Sequence, residues 1–151
     1  MALNLLFGPP RNPDFLCSFF SLAGKHIVCG GSTAQQVANF LGESLVLSLH
    51  YENPEVPPIA RLKGVDLVTE GIVTLNKVLQ MFFVAAPAND AQDGASLVYK
   101  ELKNSAEVNF FVGKDNPANK EFTQLKTKKE IVSCLESYLQ NFGKKVTVRE
   151  V

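Results

Sequence analysis

The residues best placed to do chemistry in this sequence form a diglycine turn, Gly30-Gly31-Ser32-Thr33. A short apolar run, residues 27–29, stops at the two glycines, and apolar residues at helical spacing follow directly. A strand that enters a helix through glycines leaves backbone amides unpaired at the helix N-terminus, and no Cβ blocks an approaching anion. Two interpretations stay open: an anion-binding turn, and a tight connection that needs glycine for its dihedral angles and binds nothing.

The helix after the diglycine turn carries recognisable start and stop signals. Ser32 and Gln35 stand three residues apart, the spacing of a capping box, so Ser32 is predicted as the N-cap. Gly42 is predicted as the residue that ends this helix. Thr127 and Glu130 form a second predicted capping box near the end of the chain. Ser32 therefore has two alternative roles, ligand contact and helix cap.

Further polar residues follow two other strand-like runs. Glu70 comes directly after the run 65–69, and Asn116 follows the run 108–112. Because ligands collect at the carboxyl ends of parallel strands, these residues are expected on one rim with the diglycine turn. The backbone amides at the helix start would hold an anionic group of the ligand, and Glu70 would accept hydrogen bonds from its hydroxyls. Alternatively, Glu70 only caps its own helix and Asn116 only forms a turn. The predicted ligand-binding residues are Gly30, Gly31, Ser32, Thr33, Glu70 and Asn116.

Strand-like runs alternate with amphipathic helical segments along the chain. The runs 3–7, 27–29, 45–49, 65–69, 108–112 and 146–148 are predicted strands, the last at a sheet edge, and residues 52–58 are a proline-rich surface loop. This alternation predicts a single α/β domain over residues 1–151. We expect a three-layer α/β/α, Rossmann-like arrangement with a mainly parallel sheet of about five or six strands.

Composition limits the possible partners. Lys plus Arg and Asp plus Glu number 15 each, so the chain has no general attraction to nucleic acid or anionic membranes. No apolar run reaches the roughly 18 residues of a membrane span.

Three scattered cysteines fit reduced thiols in a cytoplasmic protein, and neither they nor the two histidines have metal-ligand spacing. No metal or cofactor is expected in this segment. The lysines near the second capping box are predicted to form a solvated face: Lys126, Lys128 and Lys129.

Several runs of the chain resemble, in the same order, the C-terminal region of bacterial phosphatases of the sporulation stage II E type. They are Asn4-Leu5-Leu6-Phe7-Gly8-Pro9-Pro10, Val28-Cys29-Gly30-Gly31-Ser32-Thr33-Ala34, Pro57-Pro58-Ile59-Ala60, Gly64-Val65-Asp66-Leu67-Val68-Thr69-Glu70-Gly71 with Thr74-Leu75, and Phe111-Val112-Gly113 with Asn116-Pro117-Ala118. The resemblance spans nearly the whole chain. It implies a cytoplasmic regulatory or ligand-sensing domain, linked to a metal-dependent serine/threonine phosphatase domain.

The resemblance does not imply catalysis in this segment. The phosphatase domain holds metal ions through paired acidic motifs, and only an isolated Asp93-Gly94 is similar to them here. The family often has a histidine after the Asn-Pro-Ala run, where this chain has Asn119. No catalytic residue is therefore expected, and any metal ions would belong to the separate phosphatase domain.

Two alternative functions stay open. The Gly-Ser-Thr turn and the later Asp-Leu-Val-Thr-Glu-Gly run also resemble, at the level of the fold, sugar-phosphate isomerases and coenzyme A transferases. On that resemblance Ser32 and Thr33 would bind phosphate and Glu70 would be the catalytic base. The other alternative is a protein-docking module that uses the proline loop, residues 53–58, as a rigid contact surface.

Overall fold

A seven-stranded sheet forms the centre of the structure, a computed structural model that describes residues 1–113 and 126–151. The predictions on Asn116 and Asn119 lie outside these residues. The strands follow the spatial order β3-β4-β5-β2-β1-β6-β7. Their bounds are β1 Ala2–Phe7, β2 Lys25–Cys29, β3 Val46–Leu47, β4 Ala60–Arg61, β5 Leu67–Thr69, β6 Glu107–Val112 and β7 Lys145–Glu150.

Most neighbouring strands are parallel, which confirms an α/β fold with a mainly parallel sheet. The run from β5 through β2, β1 and β6 to β7 is parallel throughout, and β7 lies at the predicted edge. The other end is different, because β3 and β4 pair antiparallel. The sheet is therefore mixed and larger than expected. Ala60–Arg61 was missed because a two-residue strand carries no periodicity of its own.

The described residues include α1 Phe15–Ser21, α2 Gly31–Leu41, α3 Ile72–Phe83, α4 Gly94–Asn104 and α5 Lys128–Asn141. The α2 helix ends at the left-handed Gly42, as predicted, but it begins two residues earlier than the capping box requires. Gly30 is the N-cap, so Ser32 lies inside the first turn. The Gln35 side chain donates to Asn39 one turn later. The prediction that Ser32 caps α2 is wrong.

Alternate residues of β1 divide between two buried clusters. Leu3, Leu5 and Phe7 belong to a cluster that includes residues of α3, α4 and α5. Leu6 belongs to a second cluster that includes residues of α1 and α2. Because successive side chains of a strand point to opposite faces, the central strands are covered by apolar contacts on both sides.

None of the helices in the described part of the chain combines the length and the apolar composition that crossing a membrane requires.

A row of polar side chains crosses the sheet at one level. Asn4 of β1 is fully buried and donates from Nδ2 to the carbonyls of Ala23, at 3.1 Å, and Lys25, at 3.2 Å. Its Oδ1 accepts from Asn109 of β6, and the Asn109 Oδ1 accepts from the Thr147 hydroxyl of β7. These residues are directly paired in the strand register. Side-chain hydrogen bonds between directly paired residues disfavour any slip between β1, β6 and β7.

We predict that Asn4→Ala lowers the free energy of unfolding by about 2–4 kcal/mol, because three hydrogen bonds made by a fully buried side chain are lost. Urea denaturation of the purified chain measures the change. Asn39→Ala, at an exposed position of α2, is the matched control and is expected to cost less than about 1 kcal/mol. Equal losses in the two variants would contradict a stabilising role for the row.

Candidate functional site

A cleft of about 210 Å³ opens where β1, β2 and β5 end and their following segments begin. It brings together the diglycine turn and Glu70, as the sequence predicts, and Gly8 and Pro9 after β1 contribute to its wall. The residues that line it are Phe7, Gly8, Pro9, Cys29, Gly30, Gly31, Ser32, Thr33, Glu70, Gly71, Ile72 and Lys128. Five of the six predicted ligand-binding residues therefore share one cleft, and Asn116 lies outside the described residues.

Two strand-to-helix turns form the cleft by packing glycine against glycine. The Gly30 amide donates to the Thr69 carbonyl at 2.9 Å, which ties the β2–α2 turn to the end of β5. A Cβ on Gly71 would lie 3.1 Å from Cε1 of Phe7 and 3.4 Å from Cα of Gly30. Gly30 itself has φ +117°, a conformation that L side chains rarely adopt. The approach of Glu70 to the diglycine turn therefore depends on both glycines.

The N-terminus of α2 faces this cleft without a side-chain cap. The carbonyl of Gly30 accepts from the Ala34 amide at 2.9 Å, which begins the helical ladder. No side chain in the described residues caps the start of α2, whereas Asp93 caps α4 and the predicted capping box of Thr127 and Glu130 caps α5. Unpaired amides and the helix dipole make such a start attractive to an anion.

Gly31 keeps the approach to these amides open. A Cβ at this position would meet no atom within 4 Å, and the residue has no left-handed φ. The fold therefore does not require glycine here, although glycine costs a helix about 0.5–1 kcal/mol relative to alanine. An absent side chain beside exposed amides is what close contact with a ligand needs.

The first turn of α2 also holds a hydroxyl that lacks a hydrogen-bond partner. Thr33 is 1% exposed, and its Oγ1 pairs with no group in the described residues. This oxygen lies 3.0 Å from the position that a Cβ on Gly30 would occupy, so it points toward the diglycine turn. Buried hydroxyls are nearly always hydrogen-bonded in folded proteins. Thr33 is thus a second, independent sign that a polar group belongs in this cleft.

Glu70 lines the cleft, but its carboxylate also serves the neighbouring helix. Oε1 accepts from the Thr74 amide at 2.9 Å and Oε2 from the Val73 amide at 3.4 Å. The negative charge of Glu70 offsets the helix dipole at the start of α3, so this helix start is less attractive to an anion than the start of α2. A carboxylate offers about four acceptor positions, so Glu70 retains capacity to accept from ligand hydroxyls.

Lys128 lines the cleft, so the prediction that it lies on a solvated face is wrong. It is only 5% exposed, and its Nζ lies 5.7 Å from the centre of the Phe7 ring. Lysine at the first position of a helix opposes the helix dipole, and its burial carries a desolvation cost. A cation in the same cleft lining as the uncapped α2 amides suits an anionic ligand. That conflict with the helix dipole was the signal in the sequence.

Cys29 forms part of the cleft lining but is a poor nucleophile. Burial raises the pKa of its thiol to about 12, and a hydrogen bond from the Thr69 hydroxyl opposes this shift only in part. The reactive thiolate is therefore scarce at neutral pH.

The other candidate sites were a metal centre and the proline loop, and residues 1–113 and 126–151 give neither of them support. The described residues contain no group of three or more His, Cys, Asp or Glu side chains arranged for a metal ion. The proline loop is held against the domain, because Val56 is buried and the Glu55 Oε2 atom lies 3.1 Å from Nζ of Lys77 in α3.

Comparison with models of known protein families, with curated proteins and with solved structures gave no match. The resemblance to the sporulation stage II E-type phosphatases therefore rests on its quoted motifs alone and stays a prediction.

The two cleft glycines give a matched pair of variants. We predict that Gly71→Val lowers the free energy of unfolding by about 1–3 kcal/mol, because its methyl groups press on Phe7 and Gly30. Gly31→Val should change it by less than about 1 kcal/mol, since the space around Gly31 is open. Urea denaturation measures both. If both variants unfold at the same urea concentration, the two turns are not closely packed.

Proposed function

We propose that this chain is a ligand-binding domain that holds a phosphate-bearing small molecule in the cleft between the diglycine turn and Glu70. The observation that carries the proposal is the uncapped N-terminus of α2, with Gly31 open in front of it and Lys128 beside it. Uncapped amides, a nearby cation and an unpartnered Thr33 hydroxyl together suit the oxygens of a phosphate group.

The resemblance to the phosphatases supplies the biological context of this proposal. We propose that the domain is non-catalytic and regulatory, that it is linked to a cytoplasmic serine/threonine phosphatase domain, and that its ligand reports a metabolic state to that domain. We also propose a three-layer, Rossmann-like arrangement. The two apolar clusters, one with α1 and α2 and one with α3 to α5, support that arrangement.

The isomerase or transferase alternative would use Glu70 as a base. Both Glu70 oxygens accept backbone amides of α3, an arrangement in which the carboxylate is oriented toward its own helix. The Cys29 thiol, with its raised pKa, is a weak candidate for covalent catalysis. These contacts favour binding over turnover, and Glu70 is assigned to ligand hydroxyls.

We predict that inorganic phosphate binds the purified chain and raises its thermal stability. A ligand at 100 times its Kd adds about 2.7 kcal/mol to the free energy of unfolding. Gly31→Trp should abolish phosphate binding in isothermal titration calorimetry, because the indole would occupy the space in front of the α2 amides.

Gln35→Trp is the matched control, since Gln35 is exposed on the same helix and lies outside the cleft lining. Its phosphate affinity should equal that of the unmodified chain. Phosphate binding that survives Gly31→Trp, or the absence of binding to the unmodified chain, would refute the proposed site.

A further inference from the structure

We infer that the ligand is a small monophosphate whose remaining groups are neutral hydroxyls, and that Glu70 selects it against ligands with a second anionic group. This inference rests on the proposed phosphate site and specifies the rest of the molecule. It follows from the order of the strands, from the size of the cleft and from the charges in its lining.

The strand order places the charged groups of the cleft on different sides of the diglycine turn. The β2 strand, which leads into this turn, lies between β5 and β1. Glu70 follows β5, whereas Lys128 contacts Phe7 at the end of β1. A phosphate at the α2 amides would therefore have the Lys128 cation on the β1 side and the Glu70 carboxylate on the β5 side, so a neutral remainder of the ligand would extend toward Glu70.

The cleft accommodates only a small ligand. Its volume of about 210 Å³ is below the roughly 300–1,000 Å³ of pockets for drug-sized molecules. Phe7 is the one aromatic residue among its described lining residues, and it is 1% exposed. The described lining thus offers a nucleobase no exposed ring to stack on, and stacking is a principal way in which proteins hold bases. These properties favour a short phosphorylated polyol over a nucleotide.

Glu70 determines which substituents the ligand carries. A carboxylate accepts hydrogen bonds from hydroxyls and repels a second phosphate or carboxylate. Two like charges a few ångströms apart in a partly buried cleft repel each other strongly enough to weaken binding at least about tenfold. Ser32, exposed in the first turn of α2, adds a hydroxyl that both donates and accepts. The described lining therefore matches one phosphate and several hydroxyls.

Calorimetric titration of the 151-residue chain with three probes tests this inference. The probes are inorganic phosphate, glycerol phosphate, and 3-phosphoglycerate, which carries a carboxylate where glycerol phosphate has a neutral group. We expect glycerol phosphate to bind more tightly than inorganic phosphate, and at least about tenfold more tightly than 3-phosphoglycerate.

Glu70→Gln should reduce the preference for glycerol phosphate over 3-phosphoglycerate to less than about threefold, because the repelling charge is gone. Glu43→Gln removes the same charge from an exposed residue after α2 and should leave the preference unchanged. The comparison of the three probes on the unmodified chain does not depend on how well Glu70→Gln folds.

The possible failures are distinguishable. If none of the probes binds, the proposed phosphate site and this inference are both refuted. If inorganic phosphate binds but glycerol phosphate is no tighter, or if 3-phosphoglycerate binds equally well, the phosphate site stands and the inference is overturned. A preference that survives Glu70→Gln would also overturn it.

Discussion

The close packing of two strand-to-helix turns, at Gly30 and Gly71, is the contact on which the candidate site depends. The Thr69 carbonyl accepts a hydrogen bond from the Gly30 amide, and the missing Cβ of Gly71 leaves room for Phe7 and Gly30. A side chain on Gly71 would press against Phe7 and Gly30, and one on Gly30 would strain the turn at its φ of +117°. Because β5 and β2 are parallel neighbours, the sheet already brings both turns to one edge, and the glycines close the remaining gap.

This packing gives each helix N-terminus at the cleft a different role. The α3 start is neutralised by Glu70, whereas the α2 start keeps its amides unpaired by side chains of the described residues. The cleft lining carries charges of opposite sign, with the Glu70 carboxylate after β5 and the Lys128 cation of α5 at the end of β1. A ligand with one anionic end and one hydroxyl-bearing end is the chemical complement of that lining.

Much of this structure could be predicted from local patterns. The left-handed Gly42, the capping box that starts at Thr127 and the edge strand β7 depend on signals within a few residues, and all three predictions are confirmed. Features set by distant contacts were missed. Ala60–Arg61 becomes a strand only by pairing with β3 and β5, and Lys128 is buried only because α5 brings it to the end of β1. Neither relationship leaves a periodic signal in the sequence.

The role of the α2 amides can be measured directly by nuclear magnetic resonance of the ¹⁵N-labelled chain during titration with inorganic phosphate. We predict that the largest chemical-shift changes, saturating with phosphate concentration, occur at the amides of Gly31, Ser32 and Thr33, since these face the proposed phosphate oxygens. Resonances of these three amides that stay unchanged at saturating phosphate, or a saturable response confined to other parts of the chain, would contradict the central claim that α2 holds the anion.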